Sequence, residues 1–87
     1  MIFQKQQGVL SAKLDDRLLV FDPEKNLPYI LNDVAALVFI HTDGKMSTEH
    51  IAQMICKEYN IEIDQVLCDI KDLYKEFVKK DIVKQVE

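Results

Sequence analysis

The hydrophobic pattern of this chain changes period at Asn32, and that change limits the folds open to it more than any other feature. Before Asn32 the apolar residues come in short runs. Val9-Leu10-Ser11-Ala12-Lys13-Leu14 alternates, Arg17-Leu18-Leu19-Val20-Phe21 is rich in strand formers, and Leu27-Pro28-Tyr29-Ile30-Leu31 is a third run of strand length. Asp15-Asp16 is placed as a two-residue turn between the first two. Asp22-Pro23-Glu24-Lys25-Asn26 is a second turn, with Pro23 preset for its first central position. After Asn32 the period is helical. The expected order is three strands and then three helices, an α+β chain.

The helical half is punctuated by caps. Asn32 is placed as an N-cap, with Asp33 in the first turn. Val34 to Ile40 is apolar all round, the pattern of a helix that is buried rather than laid on a surface. Asp43-Gly44 is expected to end it. Ser47 caps a second helix over about 48–59, with Ile51, Ala52, Ile55 and Tyr59 as its apolar stripe and Asn60 closing it. Asp64 is expected to cap a third helix reaching about Lys80. On that helix Val66, Ile70, Leu73 and Phe77 form one apolar line, and Leu67, Tyr74 and Val78 form a second beside it. The combined arc is about 140°, wider than the ~100° stripe with which a surface helix meets its core. Ile82, Val83 and Val86 read as a short extended end that packs back.

Composition enters as a set of exclusions. At 87 residues there is room for one small domain, 1–87, burying about two thirds of its unfolded surface. The hydrophobic fraction of 48% fits a folded chain rather than a disordered one. The net charge is -4, and each half of the chain carries -2, so there is no basic arm of the kind nucleic-acid binders carry. Cys56 and Cys68 make no disulfide framework, and their thiols are expected free in a reducing compartment. The first ten residues lack the pattern of a signal peptide, and no apolar run approaches the ~20 residues of a spanning helix. The expectation is a soluble cytoplasmic domain.

Chemistry is scarce. His41, His50, Cys56 and Cys68 lack the pair spacings of a zinc site, so no metal is expected. There is no nucleophile motif and no Gly-rich phosphate loop, so neither catalysis nor a nucleotide cofactor is expected. Ser47 is explained as a cap. Asp69 and Asp72, one turn apart, look like paired carboxylates but share the helix with Lys75, Lys79 and Lys80, so a solvated charged face is the preferred reading.

An interaction surface is the better supported idea. Pro28 cannot donate to a ladder, which places the third strand at a sheet edge, and an open edge is a template for another chain. The helix line Leu67, Tyr74 and Val78 is flanked by Lys71 and Lys75. If strand and helix lie side by side they form a groove for an extended peptide. Spacing leaves open whether that second line is a binding wall or ordinary core under the C-terminal tail.

At this point a resemblance enters. Leu27-Pro28-Tyr29-Ile30-Leu31-Asn32, Val34-Ala35, Asp43-Gly44-Lys45, Ser47, Glu49 and Ile51 resemble the PqqD-like family. So do Tyr59, Val66, Asp69-Ile70 and Leu73 in the tract before Ile82-Val83. The similarity covers about residues 9–84 and rests on order and spacing. The sequence departs from the family pattern at Asp81-Ile82-Val83, which lacks the Gly often found there. The resemblance implies a winged-helix-like module, a three-stranded antiparallel sheet followed by three helices. It implies a non-catalytic peptide chaperone that binds the leader segment of a ribosomally made, post-translationally modified precursor. The leader would add a strand to the third strand, at Leu27, Pro28, Tyr29, Ile30 and Leu31, against Leu67, Ile70, Lys71, Tyr74, Lys75 and Val78 of the third helix. The implied partner is a modifying enzyme or leader peptidase of the same pathway. A winged-helix nucleic-acid-binding regulator is the alternative, and a small dimerisation module a third. The expected state is a monomer or weak homodimer.

Overall fold

The computed structural model describes residues 1–24 and 28–87, with Asn32 described by its backbone. The elements in chain order are β1 (Ile2–Lys5), β2 (Leu10–Leu14), β3 (Arg17–Phe21), β4 (Tyr29–Asn32), α1 (Asp33–Ile40), β5 (Asp43–Ser47), α2 (Thr48–Tyr59), α3 (Ile63–Lys79) and β6 (Val83–Gln85). The expected α+β class, the antiparallel sheet and the three helices are all present. The strands are more numerous than expected, and they form two antiparallel sheets, β2-β3-β4 and β5-β1-β6.

The first sheet is the anticipated one. The β2–β3 hairpin turns at Asp15-Asp16, where Asp15 takes φ +53 and the flanking pair is Leu14 opposite Arg17. Positive φ is what a tight two-residue hairpin turn asks of its residues, and Asp tolerates it. Leu18, Val20 and Leu31 point into the core while all of β2 is exposed. β4 pairs with β3 from Tyr29 opposite Val20 to Asn32 opposite Arg17. The expected third strand began at Leu27, which lies outside the described residues. Pro28 sits just before the strand, where its missing N–H costs no ladder bond.

The second sheet was not anticipated. Its central strand, β1, pairs with β6 through Phe3 opposite Gln85 and with β5 through Ile2 opposite Ser47. Asp43-Gly44 therefore does not end α1, which stops at Ile40. The pair opens β5 instead, with Gly44 at φ +80 packed on the Gln4 side chain. The Asp43 carboxylate accepts from the N–H groups of Lys45 and Met46 at 2.9 and 2.8 Å. Those bonds hold its pKa below the usual carboxylate value. The returning C-terminal end is real: Ile82 and Val83 are buried, and Val86 is exposed. Asp81 takes φ +62, the left-handed conformation for which the missing Gly would have been the usual residue.

Helix ends are mixed. Ser47 caps α2 as expected, its Oγ accepting from His50 N–H at 3.1 Å, and Asn60 closes it in a left-handed conformation at φ 56. Asp64 is not the cap of α3. Glu62 holds that position without a side-chain bond, and Asp64 lies in the first turn, where its charge still suits the dipole. The side chain expected to cap α1, that of Asn32, lies outside the described set. Tyr59 is exposed and does not join the stripe of Ile51, Ala52 and Ile55. In α1, Ala36, Val38 and Phe39 are buried, Val34, Ala35 and Leu37 are half-buried and Ile40 is exposed, so its burial is less complete than its composition implied.

One core joins these elements. Phe39 and Phe77 meet edge to face at 6.0 Å, Tyr74 and Phe77 likewise at 6.1 Å, and Phe3 stacks on Tyr74 at 3.9 Å. This aromatic chain runs from α1 through α3 to β1, so α3 separates the two sheets.

Candidate functional site

β4 is the outer strand of its sheet. Among the described residues it pairs with β3 and with no other strand, so every second residue turns its N–H and C=O outward. Leu31 points inward. Ile30 points outward and is 56% exposed, a large apolar side chain on an open edge.

The open edge runs beside α3. At its start the Lys80 ammonium sits 4.7 Å from the centre of the half-buried Tyr29 ring and 4.0 Å from the Glu76 carboxylate. Past its end, Asp33, Val34 and Ala35 face Asp69, Asp72, Leu73 and Glu76 across a cavity of about 400 Å³. The residues of this flank are thus Lys80 at the start of β4, and Asp69, Asp72, Leu73 and Glu76 opposite the α1 residues that follow its end. At 100° per residue these five fall within about 100° of one another.

The expected site residues divide between two places. Tyr29, Ile30 and Leu31 lie on the open strand, Pro28 is exposed just before it, and Leu27 lies outside the described residues. On α3, Ile70 is fully buried in the core and Leu67 is half-buried. Lys71, Tyr74, Lys75 and Val78 do come together, but on the opposite flank of the helix. There they line a cavity of about 390 Å³ with Met1, Phe3 and Gln85 of the second sheet. The single groove foreseen from spacing is thus two grooves, one on each side of α3.

Tyr74 shows why. Only 2% of it is exposed, its ring is stacked on Phe3, and its hydroxyl lies 2.7 Å from Thr42 Oγ1. The Thr42 hydroxyl gives its one hydrogen to the Val38 carbonyl at 2.6 Å, so Tyr74 is the donor in this pair. Burial pushes the phenol pKa up. Lys5 completes the cluster, donating to the carbonyls of Thr42 and Ile40 at 3.0 and 3.3 Å and lying over the Phe39 ring. Burial lowers the Lys5 pKa, against the pull of Asp43. These groups anchor β1 to α3.

Asp69, Asp72 and Glu76 line the cavity against α1, a neighbour that helical spacing does not reveal. Spacing predicts one solvated face for Asp69, Asp72 and Lys75, whereas the structure sets the two carboxylates on one flank and Lys75 on the other. The stripe Asp69, Asp72, Leu73, Glu76, Lys80 is readable from helical spacing, but which neighbour it meets is not. Among the described residues no three His, Cys, Asp or Glu side chains cluster as metal ligands would, and Cys56 and Cys68 are both free thiols. No helix among them is long and apolar enough to cross a membrane.

Comparison with solved structures finds two of the same fold. One, described as "TbiB1 in Complex with the TbiA(beta) Leader Peptide", superposes with a TM-score of 0.87 at 20% identity, covering 97% of this chain and 98% of that one. The other, "Lasso peptide synthetase B1 complexed with the leader peptide", also gives 0.87, at 22% identity, covering 98% and 100%. No curated protein sequence matches the chain. The family model described as Coenzyme PQQ synthesis protein D (PqqD) matches residues 17–83, from the start of β3 through the open edge of β4 and the whole of α3 to the first residue of β6. With about three quarters of its length matched, the chain belongs to the PqqD family.

Proposed function

We propose that this chain is a non-catalytic recognition module for the leader segment of a ribosomally made precursor peptide, which it delivers to a modifying enzyme or leader peptidase. The observation that carries the reading is the unpaired edge of β4, which leads at Asp33 into a cavity between α1 and α3. Two proteins of the same fold, each described in complex with a leader peptide, support it. The leader adds a strand to Tyr29–Asn32, and backbone hydrogen bonds supply much of its affinity. Its side chains alternate, one set meeting the Ile30 face and the other the wall around Leu73. Delivery then works by effective concentration, because a tethered leader makes encounter of the core peptide with an enzyme nearly intramolecular.

The nucleic-acid alternative finds no supporting feature. Lys57 is the one base on α2, and the lysines of α3 share that helix with Asp64, Asp69, Asp72 and Glu76.

The test is a titration of the amide-resolved NMR spectrum with the synthetic leader segment of a candidate ribosomal precursor peptide from the same genome. Amides of residues 29–32 should shift and become protected from exchange. Leu73→Ala, at a half-buried wall position, should weaken the complex while circular dichroism shows it folded. If the leader binds without moving residues 29–32, or does not bind at all, the proposal fails.

A further inference from the structure

We propose that the flank of α3 turned away from β4 is a second docking surface, and that its occupant is a segment of a partner polypeptide presenting an apolar side chain between carboxylates. The surface is the cavity of about 390 Å³ between α3 and the β1–β6 ladder. Its floor is the stacked pair Phe3 and Tyr74, both buried and held from behind by Thr42. Its walls are apolar and open, with Met1 and Val78 half exposed at 50% and 45%. A rigid aromatic floor under exposed aliphatic walls is suited to taking one apolar side chain from a partner.

Charge selects the occupant. Lys71 and Lys75 stand one turn apart on the rim, exposed, and among the described residues neither has a carboxylate within ion-pair distance. The other flank of the same helix carries Asp69, Asp72 and Glu76. An acidic segment is therefore repelled from the β4 side and attracted to this one. A second copy of the chain, with its net charge of -4, is opposed by its own self-repulsion. The two surfaces face opposite ways across one helix, so a segment seated on one leaves the other open. The surface stands on its own geometry. Its role as the far side of a bridge between precursor and partner rests on the leader-binding reading.

The experiment uses the full chain, amide- and methyl-resolved NMR, and two probe peptides, acetyl-EEFLEE-amide and acetyl-KKFLKK-amide. The acidic peptide should shift residues 71–78, Gln85 and the Val78 methyls and leave 29–32 unmoved. Its affinity should fall as salt rises. The exposed double substitution K71E/K75E should weaken it by about tenfold or more, and K71Q/K75Q by less, with unchanged circular dichroism. The leader should bind K71E/K75E as it binds the unsubstituted chain. The inference is overturned if neither peptide shifts these residues, if the basic peptide binds equally well, or if the shifts gather at 29–33. It is also overturned if folded K71E/K75E loses the leader, which would make this flank part of the leader's site. A dimer in light scattering that K71E/K75E dissolves would identify the occupant as a second copy and overturn it too. Failure of leader binding to β4, with the acidic peptide still seated on 71–78, would sink the leader reading and leave this surface standing.

Discussion

Truncating Tyr74 should remove a large part of this protein's stability before it reveals anything about ligand binding. The ring is 2% exposed, stacked on Phe3 at 3.9 Å and set edge-on to Phe77 at 6.1 Å. Tyr74→Ala removes a buried aromatic side chain and leaves a cavity between α3 and β1. Large aromatic truncations of this kind cost about 3–5 kcal/mol, against a total of about 5–15 for a typical domain. Phe3 loses its stacking partner, so β1, the middle strand of the second sheet, is loosened along with α3. Tyr74→Phe isolates the smaller effect. It keeps both ring contacts and deletes the hydroxyl that donates to Thr42. Thr42 Oγ1 still donates to the Val38 carbonyl, so no buried donor is orphaned and the cost should be about 1 kcal/mol. With a urea slope near ~1 kcal/mol/M for a chain this short, Tyr74→Phe moves the midpoint by about 1 M, or the melting temperature by about 4–8 °C. Tyr74→Ala moves it by several molar and leaves a marginal fold. Circular dichroism at 222 nm through urea titrations of the three proteins measures both steps. If Tyr74→Ala unfolds within about 0.5 kcal/mol of the unsubstituted chain, the core assignment of this residue is wrong and an exposed role regains its place.

Phe39→Ala, at the fully buried joint between α1 and α3, should likewise cost about 3–5 kcal/mol by urea titration, and a near-neutral result would mean that α1 is not central. Ser47→Ala should cost about 1 kcal/mol in thermal unfolding by orphaning the His50 N–H, while Ser47→Asp should retain most of that stability. In alkali, the raised Tyr74 pKa means that its contribution is complete below the ordinary phenol value and is lost as pH climbs through the folded one. A phenolate titration followed by ultraviolet absorbance should therefore show an upward-displaced component that Tyr74→Phe abolishes. In acid, the depressed Asp43 and Glu49 pKa values give stability that is present above the usual carboxylate range and lost as pH falls through their folded values. Asp43→Ala should flatten that limb of the stability curve, and an unchanged limb would exclude the carboxylate's hold on Lys45 and Met46.

Much of the fold was legible because it is local. The β2–β3 hairpin follows from a two-residue turn between two apolar runs. The bounds of α2 follow from Ser47 and Asn60, whose caps act within four residues. The edge position of β4 follows from Pro28. The helix residues could not be grouped with that strand from sequence, because periodicity divides α3 into flanks without saying what packs on each. Val66, Ile70 and Phe77 were assignable to core from their spacing, whereas Asp69, Asp72 and Glu76 on one side and Lys71 and Lys75 on the other have equal claims to solvent. What decides between them is β1. Ile2–Lys5 is too short and too ordinary to signal a strand by itself, because both of its partners are distant, Asp43–Ser47 about forty residues on and Val83–Gln85 about eighty. Its pairing closes loops whose entropy only tertiary packing offsets. Once β1 is seated, Phe3 takes the Tyr74 ring as its partner, one flank of α3 is committed to the second sheet, and the other flank is left beside β4. The chemistry of each flank was written in the residue order of one helix, and the division of labour between them was settled by a strand eighty residues from its partner.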